Sequence, residues 1–122
     1  MKKNGIAVAL LLLLTCGSAL SQEVQSGAFS AGAGTPNYTL DKGSGPRTFS
    51  IEVSYPKGFD VKPDILISVN SLDADASTNI RYEVVAKGIS RDGFVITIKT
   101  WSESKIFNIG GSWLAVSGGK QK

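Results

Sequence analysis

The chain has 122 residues, with 13 lysines and arginines against 10 acidic residues, no histidine and a single cysteine. Without histidine there is no Ser-His or Cys-His nucleophile pair and none of the commoner zinc sites, and a formal charge of +3 creates no field that would gather nucleic acid. A two-carboxylate hydrolase is arithmetically possible, but most acidic residues stand alone in turn-like contexts, so neither catalysis nor a bound metal is expected.

Met1-Lys2-Lys3-Asn4 is positively charged, residues 6–14 form an unbroken apolar run, and Gly17, Ser18, Ala19 and Ser21 are small. That is the pattern of a secretory signal peptide over residues 1–21, with cleavage after Ser21. The run is too short for a spanning helix, which needs about 20 apolar residues, so no stable membrane insertion is expected. Cys16 follows Thr15, a bulkier residue than a lipoprotein signal carries at that point, and the cysteine leaves with the leader. Residues 22–122 then form one extracellular domain without a disulfide, near the size where oligomer contacts usefully supplement the core. Lys2 and Lys3 leave as well, so the mature charge is about +1.

No helical periodicity follows. Short alternating runs are separated by Gly, Pro, Asn and Asp, the pattern of β-strands. A first strand is expected over 24–29, and a Gly-rich loop over 31–45. Residues 47–55 alternate strictly, with Phe49, Ile51, Val53 and Tyr55 on one face and Ser50, Glu52 and Ser54 on the other. Residues 64–70 contain Ile65-Leu66-Ile67, which suggests burial on both faces, and 73–79 reads as a polar loop. Strands at 80–86 and 94–101 are joined through Ser90-Arg91-Asp92-Gly93, whose Asp-Gly pair favours a tight hairpin turn. A short strand over 112–117 comes last. Five or six strands in one domain point to an all-β sandwich or barrel, and the sandwich is favoured.

Parity then locates a candidate site. Phe94, Ile96 and Ile98 form the apolar face of their strand, which sends Trp101 outward with Val95, Thr97 and Lys99. Tyr82, Val84 and Ala86 face the core in the neighbouring strand, which sends Arg81 outward with Glu83, Val85 and Lys87. Arg81 and Trp101 therefore fall at one end of the hairpin, on one face. A guanidinium that donates to hydroxyls beside an indole that covers C–H surface is a sugar platform. A strand-end Trp also serves packing, and a strand Arg is often a solvated charge. Val85 and Val95 on the same outward face suggest a subunit contact.

The ordered series Val24-Gln25-Ser26-Gly27, Pro63 to Val69, Leu72-Asp73, Asn79-Ile80-Arg81, Gly93-Phe94, Thr100-Trp101 and Ser112-Trp113 resembles the H-type lectin domain of snail agglutinins and the C-terminal domain of discoidins. The resemblance implies a six-stranded antiparallel β-sandwich assembled as a homotrimer, with galactose or N-acetylgalactosamine bound between subunits. It assigns Arg81 and Trp101 to the sugar, and Phe107 to an aromatic position that is tyrosine in the snail agglutinin. Ser102 replaces a sugar-binding histidine there, so its contact would be shorter or water-mediated. The acceptor for an axial hydroxyl is Asp41 if the loop before Arg47 shifts, and Ser44 if it does not.

Asp73-Ala74-Asp75 offers too few oxygens for calcium and reads as turn chemistry. Asn37-Tyr38-Thr39 is an acceptor sequon, and 118–122 a soluble tail. The implied protein is a secreted lectin without cofactor, whose partners are terminal galactose-type glycans and further copies of itself. The competing reading is a structural or protein-interaction sandwich that has lost the sugar site; a secreted glycosidase is a remote third.

Overall fold

The expected alternation appears as six strands: β1 (Glu23–Gly32), β2 (Arg47–Ser54), β3 (Asp64–Ala74), β4 (Tyr82–Lys87), β5 (Gly93–Thr100) and β6 (Ile106–Ser117). They form two antiparallel three-stranded sheets, ordered β1-β6-β3 and β2-β5-β4. The computed structural model describes residues 22–118, so the leader expected over 1–21 and tail residues 119–122 lie outside it.

Between the sheets lies the core. Phe94, Ile96 and Ile98 of β5 are buried as parity requires, and Phe49, Ile51, Val53, Tyr82, Val84 and Ala86 pack around them from β2 and β4. From the other sheet come Phe29, Ala31, Ile109, Trp113 and Ala115. Trp113 packs against Phe94 with ring centroids 5.5 Å apart and against Tyr55 at 6.0 Å, and Phe59 closes on Tyr55 at 4.9 Å. Burying each such isoleucine or phenylalanine contributes about 1.5–3 kcal/mol. With no cysteine among residues 22–118, this packing carries the stability of the described domain.

Three expectations need correction. Leu66 is not buried on both faces: it is 60% exposed, because β3 covers the core with one side only and Leu66 points away between the half-buried Ile65 and Ile67. The last strand begins at Ile106, not 112. Its early part is hidden in sequence by Gly110-Gly111, yet a side chain at Gly111 would collide with the Ser68 carbonyl and press on the Phe29 ring. Finally, Asp92-Gly93 is not the hairpin's central pair. The turn runs from Ser90 to Gly93, closed by the Ser90 N–H donating to the Gly93 carbonyl at 2.9 Å, while the Ser90 hydroxyl accepts from the N–H groups of Asp92 and Gly93.

The two outer faces differ. Across β1-β6-β3 the rows read Val24–Val116–Asp64, Ser26–Leu114–Leu66 and Ala28–Ser112–Ser68. Across β2-β5-β4 they read Thr48–Lys99–Glu83, Ser50–Thr97–Val85 and Glu52–Val95–Lys87. In the first set Asp64 is the lone charge; the second set holds Lys99, Glu83, Glu52 and Lys87.

Candidate functional site

Tyr82 pairs with Thr100, and Arg47 pairs with the same Thr100 from the other side. The residue before β4, the residue after β5 and the loop leading into β2 thus converge at one end of this sheet, and they are Arg81, Trp101 and residues 41–46. Sequence parity anticipated the first two.

Arg81 is held by its backbone. The buried Thr100 hydroxyl donates to the Arg81 carbonyl at 2.6 Å, and the Arg81 N–H donates to the hydroxyl of buried Ser104 at 2.8 Å. The Ser104 hydroxyl in turn donates to the Asn79 carbonyl, which closes the clamp. The guanidinium meanwhile stays accessible. Its Nη1 donates to Glu103 Oε1 at 3.1 Å, with the two side chains 41% and 47% exposed. An ion pair this wet contributes little to stability, so what it supplies is orientation.

Ser102 is drawn into the same cluster. Its hydroxyl donates to the same Glu103 Oε1 at 2.7 Å. That bond, then the backbone N–H of Glu103 and the charge of Arg81, hold the Glu103 carboxyl below its ordinary range. Ser102 has φ of 62°, a left-handed conformation uncommon for a residue with a side chain, and one that functional sites often retain. Its carbonyl faces the loop and accepts from the Gly45 N–H and from Arg47 Nη2, both at 2.9 Å. Arg47 spends its other nitrogens on the carbonyls of Lys42 and Gly45, each at 2.8 Å. It is therefore a staple between loop and Ser102, not a free cation.

Within the loop, Gly43 and Gly45 adopt φ of 69° and 81°, which glycine reaches without steric cost, and they leave Ser44 exposed between them. Asp41 lies deeper. It is half-buried beside Tyr38, its Oδ1 is buried without a hydrogen-bond partner, and its charge adds to burial in pushing the Tyr38 phenol up to about 12. Ser44 thus borders the Ser102 cluster, whereas Asp41 keeps one oxygen turned into the protein.

Trp101 is half-buried just past β5, with Lys99 Nζ 5.8 Å from its ring centroid. Phe107 stands apart from the cluster, in β6 of the other sheet, 36% exposed. Of the six sequence candidates, Arg81 and Ser102 meet at Glu103 Oε1, and Ser44 immediately precedes Gly45, whose N–H donates to the Ser102 carbonyl. Trp101 shares their sheet end, Asp41 lies beneath, and Phe107 lies outside. Sequence reasoning missed Glu103, Arg47, Thr100 and Ser104. A hydroxyl bonded to a backbone carbonyl leaves no periodic trace; the close run Thr100-Trp101-Ser102-Glu103-Ser104 was the available signal.

The cluster lies open at the surface. A broad groove of about 620 Å³ runs instead along the other sheet, lined by Ser30, Thr35, Asn70, Ser71 and Asn108 among others. Asp75 spends its carboxylate on the Ser77 N–H and hydroxyl at 2.9 and 2.8 Å, a turn. Among the described residues no three His, Cys, Asp or Glu side chains gather as a metal cluster.

Two antiparallel sheets with an accessible, clamped arginine at one end define a discoidin-like β-sandwich. The solved structure of recombinant discoidin II from Dictyostelium discoideum superposes with a TM-score of 0.71 at 27% identity, covering 82% of this chain and 38% of that one. A second structure, of wild-type discoidin II, gives 0.70 at 28% identity, with 80% and 37% covered. The chain belongs to the H-type lectin domain family, whose model matches residues 50–116. Among relatives, a protein called ATP synthase subunits region ORF 7 from Fuscovulum blasticum is 34% identical over 74 residues, 61% of this chain and 64% of that protein. A discoidin-1 polypeptide of Dictyostelium discoideum is 28% identical over 101 residues, 80% of this chain but 40% of that one. The chain therefore spans less than two thirds of each of these relatives. Arg81, Trp101, Ser102 and Phe107 fall inside the matched segment; Asp41 and Ser44 precede it.

Proposed function

We propose that this domain is a secreted, non-catalytic lectin that binds terminal galactose or N-acetylgalactosamine through the Arg81 end of the β2-β5-β4 sheet. The observation that carries the reading is the Arg81 arrangement. Two buried hydroxyls fix its backbone while its guanidinium remains at the surface, a preorganised donor set suited to sugar hydroxyls. Trp101 supplies the apolar cover, Ser102 and Ser44 flank it, and Asp41 is the alternative acceptor if the loop shifts. Family membership supports carbohydrate as the ligand class.

The open shape of this end fits a site completed by a neighbouring protomer, and Phe107, exposed on the other sheet, is the aromatic that a neighbour would contribute. Assembly is proposed as a homotrimer. The rows around Leu66, Leu114 and Val116, in which Asp64 is the lone charge, are a better seam than Val85 and Val95, which sit among Glu52, Glu83, Lys87 and Lys99. Several weak sites on one particle would support adhesion, agglutination or innate recognition of glycan-coated surfaces. Sequence supports export through residues 1–21. A glycan array probed with residues 22–122 tests the reading: selective capture of galactose-type termini is expected, whereas silence across the array would favour an interaction module and sugar release a hydrolase.

A further inference from the structure

Among the described residues, Glu103 is the one anionic side chain bonded to both Arg81 and Ser102, and sequence reasoning passed over it. A single oxygen, Oε1, accepts from Arg81 Nη1 at 3.1 Å and from Ser102 Oγ at 2.7 Å. The carboxylate is 47% exposed, so it faces ligand as readily as it faces its neighbours. The other acceptors expected near this end are poorer: Ser44 has a neutral hydroxyl, and Asp41 has one oxygen buried.

Resting on the sugar-binding reading above, we propose that Glu103 determines specificity, accepting hydrogen bonds from the sugar hydroxyls and excluding acidic glycans. A hydroxyl is both donor and acceptor. A guanidinium beside a carboxylate therefore matches a vicinal diol, with Arg81 donating to one sugar oxygen while Glu103 accepts the proton of the other. The same carboxylate repels a uronate or other acidic sugar that Arg81 alone would attract, and it favours a sugar carrying a protonated amine. The ligands of this site are neutral or amino hexoses. The Arg81–Glu103 pair is thus a filter whose charges cancel, in place of a bare cationic site.

Titration calorimetry on the intact assembly with N-acetylgalactosamine, galactosamine and galacturonate tests this, using the parent, Glu103→Gln and Arg81→Ala. The parent should bind the first two and bind galacturonate at least about tenfold more weakly. Glu103→Gln should lose about tenfold towards N-acetylgalactosamine, more towards galactosamine, and should narrow the galacturonate gap at an unchanged melting temperature. If Glu103→Gln binds N-acetylgalactosamine as tightly as the parent or more tightly, while Arg81→Ala loses it, Glu103 is a competitor for Arg81 and the proposal falls with the lectin reading intact. If the parent binds none of the three, both fall.

Discussion

The outer faces of the two sheets are built from the same alternation and yet are suited to different tasks. On β1-β6-β3 the outward residues are serine, alanine, valine and leucine, with Leu66 60% and Val24 54% exposed and Asp64 the lone charge in the three rows. On β2-β5-β4 the outward residues mix charges of both signs with hydroxyls, and the polar cluster of Arg81, Ser102 and Glu103 crowns one end. A largely apolar face with a single charge is costly to leave in water and is suited to burial against a further copy; a charged, hydroxyl-bearing face is stable when wet and free to bind polar ligands. Exposure of a hydrophobic residue is thus less informative than the company it keeps. Val85 and Val95 are apolar and outward, but their neighbours are charged.

This contrast can be broken by exchanging charge between the faces. Leu66→Lys should dissociate the proposed trimer outright, because it places an unpaired charge in the proposed seam, while Val85→Lys should leave it whole. Sedimentation of the parent should give about three times the monomer mass, Leu66→Lys one, and Val85→Lys three. A monomeric parent, or dissociation by Val85→Lys alone, would reverse the roles assigned to the faces.

Next in size is the core beneath both faces. Ile96→Ala removes a fully buried side chain of β5 and should cost about 2–5 kcal/mol in denaturant unfolding, whereas Trp101→Ala, half-buried beyond the strand end, should cost clearly less. Equal losses would make Trp101 a core residue. A smaller effect is read in alkali. The Tyr38 phenol is 4% exposed, donates to the Ile106 carbonyl at 2.7 Å, and is pushed from 10.0 to about 12. The folded state thus holds a proton that the unfolded chain releases. Its contribution is whole below pH 10 and declines as pH rises towards 12, a loss on the order of 2 kcal/mol. Buried Tyr55 acts in the same direction. Tyr38→Phe should be less stable at neutral pH but lose less between pH 10 and 12; an unchanged alkaline slope would deny Tyr38 this role.

How far the sequence reveals these features depends on their physics. Strands β2 and β5 were legible because each covers the core with one face, which writes a period of two into Phe49-Ile51-Val53 and Phe94-Ile96-Ile98. The start of β6 was illegible because close approach to Ser68 and Phe29 demands Gly111, and glycine reads as a turn. Leu66 misled because an apolar triplet looks the same whether its middle member faces protein or water. At the site, Arg81 and Trp101 followed from parity. Glu103, Ser104 and Arg47 did not, since each acts through a loop or a backbone bond formed only when distant segments meet.

On the proposed function, sugar binds at the Arg81 end of β2-β5-β4 and not on the face of β1-β6-β3. Titrating N-acetylgalactosamine into parent and Arg81→Ala proteins of equal assembly state and melting temperature tests it most directly. Arg81→Ala should lose about tenfold or more in affinity. Equal affinity in the two, with fold and assembly intact, would contradict it and move the search to the groove beside Asn70 and Asn108.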